Sequence, residues 1–547
     1  MSRGRLFGKN VLEAVFRASP DEDLFLGELL VGVDDATGRR YLFRVVDVTY
    51  GSEHREPGWA ERVAGTLLSD DSRGELGAHR LHEQAKRTYR VASCRCLGYL
   101  TPDPDGDGVG LGPHARRGGG VGAPPGGTSI VDFRKPKSLP TQFSRVVSPE
   151  PADFEFLSTR MGDLTLGLLR SGETTVDFEV GITGKSLATH VGVFATTGMG
   201  KSNLVKVLAG GVMRAAGRYG LLVIDPHGEY RTELARHPWA GERLRTYAAR
   251  SLPNTSSLRV GLGELTVDDL RTAYEWSRPQ EEALFELERH YGRDTTGLGW
   301  LLEFSHVDDL PGFRDVELHG RVALNTLQVV HRRASRIVGL PCIAADSSVS
   351  VGAAVIRDLR EGKVVLLDVS GLGSTEEVLV ASFLTRRVLE EWANAYLDEP
   401  EVHGRMPVVA VVLEEAQRVL SANKDKESNV FPRVAREGRK FKVGLCAVTQ
   451  QPKLLDGELL SQFNTFFVLG LADEKDRNIL RSSSKQDISA LGPEIQTLMP
   501  GECLIANLDA PFALPAKVHL YADVVRNCPP PPAPRPTAAP NIAAFVD

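Results

Sequence analysis

Cysteine is scarce in this sequence: only six cysteines are scattered along 547 residues. Such usage suggests a reducing, intracellular setting without a disulfide framework. Cys94 and Cys96 lie close together, but no second pair stands at the spacing of a zinc site. We therefore interpret both as ordinary strand residues.

Long apolar segments are also missing. No run approaches the roughly 20 apolar residues that a membrane span requires, and the N-terminal residues lack the hydrophobic region of a signal peptide. We therefore expect a cytoplasmic protein without a membrane segment. The net charge of -6 argues against a protein that coats nucleic acid, although a small basic pore is compatible with an acidic average.

The motif that organises the chain is VGVFATTGMGKSN at 191–203. The apolar run Val191–Ala195 predicts a buried strand, and Asn203–Ala215 predicts a helix. The spacing between them matches the phosphate-loop pattern GxxxxGK[ST], with Ala195 in place of the first glycine. The same tripeptide at Gly184–Ser186 follows no such strand, and we interpret it as a turn.

Each residue type in this loop has a chemical reason. Gly198 and Gly200 allow backbone N–H groups to turn toward phosphate oxygens, and the helix N-terminus adds partial positive charge. Lys201 is expected to reach the β- and γ-phosphates, and the Ser202 hydroxyl to bind Mg2+. The predicted site for ATP and Mg2+ consists of Thr197, Gly198, Met199, Gly200, Lys201, Ser202 and Asn203.

A pair of acids follows another apolar strand. Val408–Leu413 ends in Glu414 and Glu415, and paired carboxylates at a buried strand end are costly unless a cation joins them. We expect Glu414 to hold the Mg2+ through water. We expect Glu415 to orient or deprotonate the water that attacks the γ-phosphate.

Polar residues end two further predicted strands. Gln450, or alternatively Gln451, follows Val443–Val448, where its amide can sense the γ-phosphate. Asp225 and Glu229 follow another apolar run, at the edge of an α/β sheet where ligand sites form. We add both acids to the predicted site for ATP and Mg2+.

Two groups of basic residues remain open to interpretation. Arg436 and Arg439 are three apart on a predicted helix. They form either a solvated face or an arginine finger that enters the nucleotide site of a neighbouring subunit. Lys424 and Lys426 lie in the loop after the acid pair, which either contacts DNA phosphates or is solvated.

The strand and helix pattern divides the chain, whose length predicts two to four domains. Short strands predict a small β-barrel at the N-terminus, with a hairpin loop at Asp34–Gly38, a helical segment at 58–88 and a flexible Gly/Pro loop at 101–129. Alternating strands and helices from about 151 predict an α/β fold with a parallel sheet. The expected domains are 1–150 (β-barrel), 151–252 and 351–526 (two parts of one ATPase core), 253–350 (an inserted helical bundle) and 527–547 (a Pro-rich tail).

Five strings, ATTGMGKSN, IDPHGEY, VVLEEAQ, AREGRKF and TQQP, occur in this order. Together they closely resemble the HerA family, the hexameric DNA translocases of the HerA/FtsK group. The resemblance covers about 165–525 and extends weakly to an N-terminal HAS-barrel-like domain. It implies a RecA-like P-loop ATPase core with an inserted helical bundle, and six subunits around duplex DNA. Met199, Ala195 and Gln417 depart from common family residues without removing a required chemical group.

The resemblance also implies roles and partners. Glu415 would be the catalytic glutamate, Glu414 the acid on the metal side, and Arg439 or Arg436 the finger in trans. A NurA-like nuclease would be the partner in DNA end resection during double-strand-break repair. The alternatives are an ATPase ring that scaffolds an anti-phage defence complex with a sirtuin-like or nuclease effector, and a conjugation or protein-export motor. The absence of a membrane segment disfavours the last.

Overall fold

The computed structural model describes residues 2–18, 22–52, 88–102, 130–292, 295–421 and 429–532. The chain divides into two compact units, one formed by Met1–Lys201 and Val448–Val518 and the other by Ser202–Ala447 and His519–Asp547. Four predicted features lie wholly or almost wholly outside the described residues: the helical segment 58–88, the loop 101–129, Lys424 with Lys426, and most of the tail after 527.

The N-terminal part of the first unit is a closed antiparallel barrel, as predicted. Its strands follow the order β2-β1-β7-β3-β4-β5, and β5 pairs back to β2, while β6 extends the sheet beside β5. The strands are β1 Gly4–Gly8, β2 Glu13–Ala18, β3 Leu29–Asp34, β4 Arg39–Ser52, β5 Thr88–Pro102, β6 Ile130–Arg134 and β7 Arg145–Val147.

Alternating side chains fill this barrel. Leu6, Phe16 and Phe43 are among the buried residues of its core, because successive residues of a strand point to opposite faces. Cys94 and Cys96 belong to the same core as ordinary residues of β5, which confirms their interpretation. β3 and β4 form the hairpin that the sequence predicts around Asp34–Gly38.

The rest of the first unit contains a second run of strands in the order β10-β19-β20-β21-β8-β9. Only β10 and β19 are parallel, and the other neighbours are antiparallel. The strands are β8 Leu164–Ser171, β9 Thr174–Ile182, β10 Val191–Phe194, β19 Thr465–Val468, β20 Glu502–Asn507 and β21 Leu514–Val518. A parallel sheet was therefore the wrong prediction here, because connections as short as the one from β8 to β9 cannot form a parallel crossover.

The second unit holds the parallel sheet that the sequence predicts. Its order is β13-β12-β16-β11-β17-β18, and every pairing is parallel. The strands are β11 Tyr219–Asp225, β12 Leu244–Ala248, β13 Ser256–Ser257, β16 Val364–Asp368, β17 Val408–Leu413 and β18 Val443–Thr449. β11, β16 and β18 are buried throughout, which explains their continuous apolar runs.

Helices alternate with the strands along the chain from Lys201 onward. In chain order the α-helices are α1 Lys201–Arg214, α2 Arg231–Leu234, α3 Ala240–Arg243, α4 Val267–Ala273, α5 Arg278–Tyr291, α6 Trp300–Ser305, α7 Leu310–Val316, α8 Leu324–Val338, α9 Gly352–Arg360, α10 Ser374–Asp398, α11 Pro400–Arg405, α12 Gln417–Leu420, α13 Val430–Glu437, α14 Gly457–Leu460, α15 Glu474–Ser483, α16 Gly492–Thr497 and α17 Tyr521–Asn527. Among the described residues no helix is long and apolar enough to cross a bilayer.

Helices α4 to α8 lie between two short strands, β14 Val260–Gly261 and β15 Ile343–Ala344, which pair in parallel. α8 packs against α5, α6 and α7, and the buried Trp300 stacks on Tyr291 with ring centroids 6.0 Å apart. That 253–350 forms an inserted domain stays a prediction, as do the other predicted domain boundaries.

Candidate nucleotide-binding site

The predicted phosphate loop connects β10 to α1. β10 ends at Phe194 and α1 begins at Lys201, so the loop has the strand–loop–helix context that its pattern requires. Gly198 and Gly200 have φ angles of 82° and 101°, in the left-handed region that favours glycine. A Cβ atom at Gly198 would meet nothing within 4 Å. Backbone conformation, not space, therefore requires glycine at 198.

Within the first unit, several hydrogen bonds anchor this loop. The Thr196 backbone N–H and hydroxyl both donate to the Gly470 carbonyl, each at 3.0 Å. The Met199 carbonyl accepts the Gly501 N–H at 3.1 Å. The Thr197 hydroxyl donates to Gln450 Oε1. The structure thus brings Gln450 to the phosphate loop.

Within the second unit, the residues after the loop form a hydrogen-bonded cluster. Ser202 Oγ donates to Glu229 Oε2 at 2.7 Å, and the Tyr230 hydroxyl donates to Glu414 Oε1. Burial and the adjacent Glu414 carboxylate raise the pKa of Tyr230 well above its usual value, so its hydroxyl remains protonated. The two residues predicted on the metal side, Ser202 and Glu414, therefore lie in one cluster with Glu229.

Asp225 organises the turn that carries Glu229 and Tyr230. Its carboxylate, only 1% exposed, accepts backbone N–H groups from His227 at 3.1 Å, Gly228 at 2.8 Å and Tyr230 at 3.0 Å. Burial raises the pKa of Asp225, and these donors oppose that shift. Both oxygens therefore hold the turn, and the predicted contact of Asp225 with ATP or Mg2+ stays a prediction.

Glu415 is held in an unusual backbone conformation. Its φ of 51° is left-handed, which costs about 1–3 kcal/mol for a residue other than glycine and is often found at active sites. Its carboxylate accepts Gln417 Nε2 at 2.5 Å. Glu414 and Glu415 directly follow the last residue of β17, which is where the sequence places them.

Asn203 binds the segment that leads into α17. Its Nδ2 donates to the His519 carbonyl at 2.8 Å, and its Oδ1 accepts the Tyr521 N–H at 2.9 Å. Asn203 therefore ties the first turn of α1 to the segment that begins α17. The structure gives it an anchoring role, and its contact with nucleotide stays a prediction.

The two candidate finger arginines are both exposed. α13 ends at Glu437, so Arg436 lies in its last turn and Arg439 in the 3-10 turn Gly438–Phe441. The prediction of one shared helix face was wrong, because the helix ends between them. No carboxylate of the described residues forms an ion pair with Arg436 or Arg439.

Hydroxyl and carboxylate oxygens suit Mg2+, which takes most of its remaining ligands from water and from substrate phosphates. Ser202, Glu229 and Glu414 supply a hydroxyl and two carboxylates. No group of three His, Cys, Asp or Glu side chains in the described ranges is arranged to hold a metal by itself. The site therefore fits a magnesium ion that arrives with its nucleotide.

Tyr230 is the cluster residue that sequence reasoning missed. Its only signal is its place as the last residue of IDPHGEY, five positions after the strand-ending Asp225. Its partner Glu414 is 184 positions away. The decoy tripeptide at Gly184–Ser186 lies in a 3-10 turn over Gly184–Thr189, in agreement with its interpretation.

Parts of this chain are similar in sequence to known proteins. A family model described as the central domain of helicase HerA matches residues 164–388. The chain is similar to the DNA double-strand break repair helicase HerA of Saccharolobus solfataricus, 24% identical over 395 residues that cover 68% of this chain and 71% of that protein. The corresponding helicase of Pyrococcus furiosus is 26% identical over 381 residues, covering 61% and 65%.

Solved structures of low similarity also match. VirB4 of Thermoanaerobacter pseudethanolicus is 16% identical and covers 65% of this chain and 96% of its own, with a TM-score of 0.44. The bacterial conjugative coupling protein TrwB is 14% identical and covers 62% and 87%, with a TM-score of 0.45.

Proposed function

We propose that this chain, an ATP-hydrolysing enzyme whose residues 164–388 match the central domain of helicase HerA, uses ATP hydrolysis to translocate duplex DNA. The observation that carries the proposal is the cluster of Ser202, Glu229, Tyr230 and Glu414 that follows a phosphate loop with two left-handed glycines. Such a cluster brings a metal-binding hydroxyl beside strand-end carboxylates.

Each residue has a task in hydrolysis. Lys201 binds the β- and γ-phosphates, and Ser202 binds the magnesium ion that accompanies ATP. When bound, this ion neutralises charge on the phosphates. Glu414 orients water around the metal, and Glu415 accepts a proton from the attacking water.

Gln450 completes the proposed site on the side of the γ-phosphate. It accepts the Thr197 hydroxyl of the phosphate loop, so a movement of the loop on nucleotide binding would move Gln450 with it. We propose that this contact makes Gln450 responsive to the presence of the γ-phosphate.

The assembly proposed here is a homo-hexameric ring around duplex DNA. Arg436 and Arg439 are exposed and have no ion-pair partner among the described residues. Either arginine can therefore enter a neighbouring subunit's site and stabilise transition-state charge. We also propose that each subunit has a RecA-like core with an inserted helical bundle at 253–350. Lys424 and Lys426 are proposed to contact DNA.

For the biological role, we propose DNA end resection in double-strand-break repair with a NurA-like nuclease. The relatives from Saccharolobus solfataricus and Pyrococcus furiosus are named as DNA double-strand break repair helicases, which supports this choice. A ring that scaffolds a defence effector would have the same nucleotide site, and its response to DNA would differ.

The test is steady-state ATP hydrolysis with and without linear duplex DNA. We expect duplex DNA to stimulate hydrolysis, and Lys201→Ala to lower kcat by about 100-fold or more, because it removes a charge that stabilises the transition state. Lys185→Ala is the matched control, since this exposed lysine lies in the decoy tripeptide; it should hydrolyse ATP like the wild type.

Two outcomes of this assay would contradict different parts of the proposal. Hydrolysis that persists in Lys201→Ala would overturn the assignment of the phosphate loop. Hydrolysis that depends on Lys201 but ignores duplex DNA would contradict the translocase and favour the scaffold.

A further inference from the structure

Tyr230 lies at the centre of the cluster between the phosphate-loop helix and the strand-end acids. Its side chain is 1% exposed, and its hydroxyl donates to Glu414 Oε1. The residue before it, Glu229, accepts the Ser202 hydroxyl at 2.7 Å through its Oε2 atom. Two adjacent residues, Glu229 and Tyr230, thus contact the two residues that are expected to face the metal.

The backbone around Tyr230 is fixed on both sides. Its N–H donates to Asp225 Oδ2 at 3.0 Å, and its carbonyl accepts the Leu234 N–H at 2.9 Å. The ring lies 5.9 Å from Lys206 Nζ, on the same helix as Ser202. A side chain held in this way can orient a neighbour, because its own freedom is already lost.

We propose that Tyr230 is a positioning residue for ATP hydrolysis: its hydroxyl holds the Glu414 carboxylate in the orientation in which Glu414 and Ser202 act together on magnesium-bound ATP. The inference rests on the proposed function of this site. Tyr230 itself contacts no reacting atom; it acts through Glu414. Removing such a supporting hydrogen bond usually lowers metal affinity or activity by about 10- to 100-fold.

The experiment measures how strongly magnesium tightens nucleotide binding. The Kd of a non-hydrolysable ATP analogue is determined with Mg2+ and with EDTA, and the ratio of the two values is the magnesium effect. For Tyr230→Phe we expect the ratio to fall by about 10-fold or more, with an unchanged Kd in EDTA. Its kcat should fall in parallel, while KM for ATP changes less.

Tyr247→Phe is the matched control. Tyr247 lies in the same unit, is 7% exposed and donates its hydroxyl to Asp358 Oδ2 at 2.9 Å. Its substitution therefore also removes a buried tyrosine–carboxylate hydrogen bond. Both variants should lose some thermal stability, but Tyr247→Phe should keep the wild-type magnesium effect.

A double variant tests whether Tyr230 acts through Glu414. If it does, Tyr230→Phe combined with Glu414→Gln loses no more of the magnesium effect than Glu414→Gln alone. Losses that multiply would contradict the proposal, as would a wild-type magnesium effect in Tyr230→Phe. A wild-type protein with no magnesium effect would instead contradict the proposed nucleotide site.

A second pair of variants distinguishes the loss of the hydrogen bond from an effect of misfolding. With p-aminophenylalanine at position 230 an N–H donor remains near the position of the hydroxyl, whereas p-methylphenylalanine fills similar space without a donor. The first should retain the magnesium effect and the second should lose it. Equal behaviour of the two would overturn the inference, because size and not hydrogen bonding would then explain the role of Tyr230.

Discussion

Glu494 is the residue whose replacement should most weaken the first unit. Its carboxylate contacts two buried guanidinium groups: that of Arg44, whose Nη2 lies 2.6 Å from Glu494 Oε1, and that of Arg170. Arg44 belongs to barrel strand β4, Arg170 to β8 and Glu494 to α16. One carboxylate therefore joins the barrel to the strands beside it.

The expected loss of stability in Glu494→Gln follows from the burial of the three charged side chains. The side chains of Arg44, Arg170 and Glu494 are 1%, 4% and 4% exposed, so water compensates little for a lost charge. Each arginine also donates to a carbonyl, Ala513 for Arg44 and Gly172 for Arg170, both at 2.8 Å. Glu494→Gln keeps the shape but leaves two buried cations without their shared anion. We expect a loss of about 3–5 kcal/mol, the usual cost of breaking a buried pair.

The assay must report on the first unit. Four of the five tryptophans, Trp239, Trp276, Trp300 and Trp392, lie in the second unit, so intrinsic fluorescence would report mainly on that unit. Native-state hydrogen exchange of peptides from β4 and β8 measures the relevant opening. A loss of 3 kcal/mol makes exchange there about 100-fold faster.

Asp487→Asn is the control. Asp487 pairs with Arg95 of β5 in the same unit, but these side chains are 55% and 31% exposed. An exposed pair contributes about 0–1 kcal/mol, so its loss should change exchange by about fivefold at most. If exchange in Glu494→Gln changes no more than in Asp487→Asn, the reasoning from buried charge is refuted.

Three further predictions concern the site. Glu415→Gln should bind ATP with unchanged affinity and hydrolyse it about 100-fold more slowly or worse, because the water loses its base; normal single-turnover hydrolysis would place the catalytic base elsewhere. Arg439→Ala should keep nucleotide binding and lose hydrolysis, and rings mixed with Lys201→Ala subunits should recover activity; a mixture no more active than its parts would argue against a finger in trans. If Asn203 only anchors the chain, Asn203→Ala should leave the Kd for ATP unchanged but expose the segment after Val518 to proteolysis, whereas weaker ATP binding with an intact segment would support the predicted nucleotide contact of Asn203.

Much of this protein follows from local sequence. The phosphate loop, the strand Val408–Leu413 with its two acids and the hairpin at Asp34–Gly38 were all predictable. Each depends on residues within about a dozen positions, where periodicity and glycine conformation act directly. The apolar runs of β11, β16 and β18 predicted buried parallel strands for the same reason.

The tertiary structure decided which distant residues contact each other. The barrel closes because β5 returns to β2, Asn203 meets Tyr521 318 positions away, and Glu494 meets Arg44 450 positions away. Tyr230 finds Glu414 only because β11 and β17 lie side by side and end at the same edge. Hydrogen bonds between distant residues leave no periodic trace in sequence, so motif spacing identifies the site and the folded chain determines which side chains hold it in place.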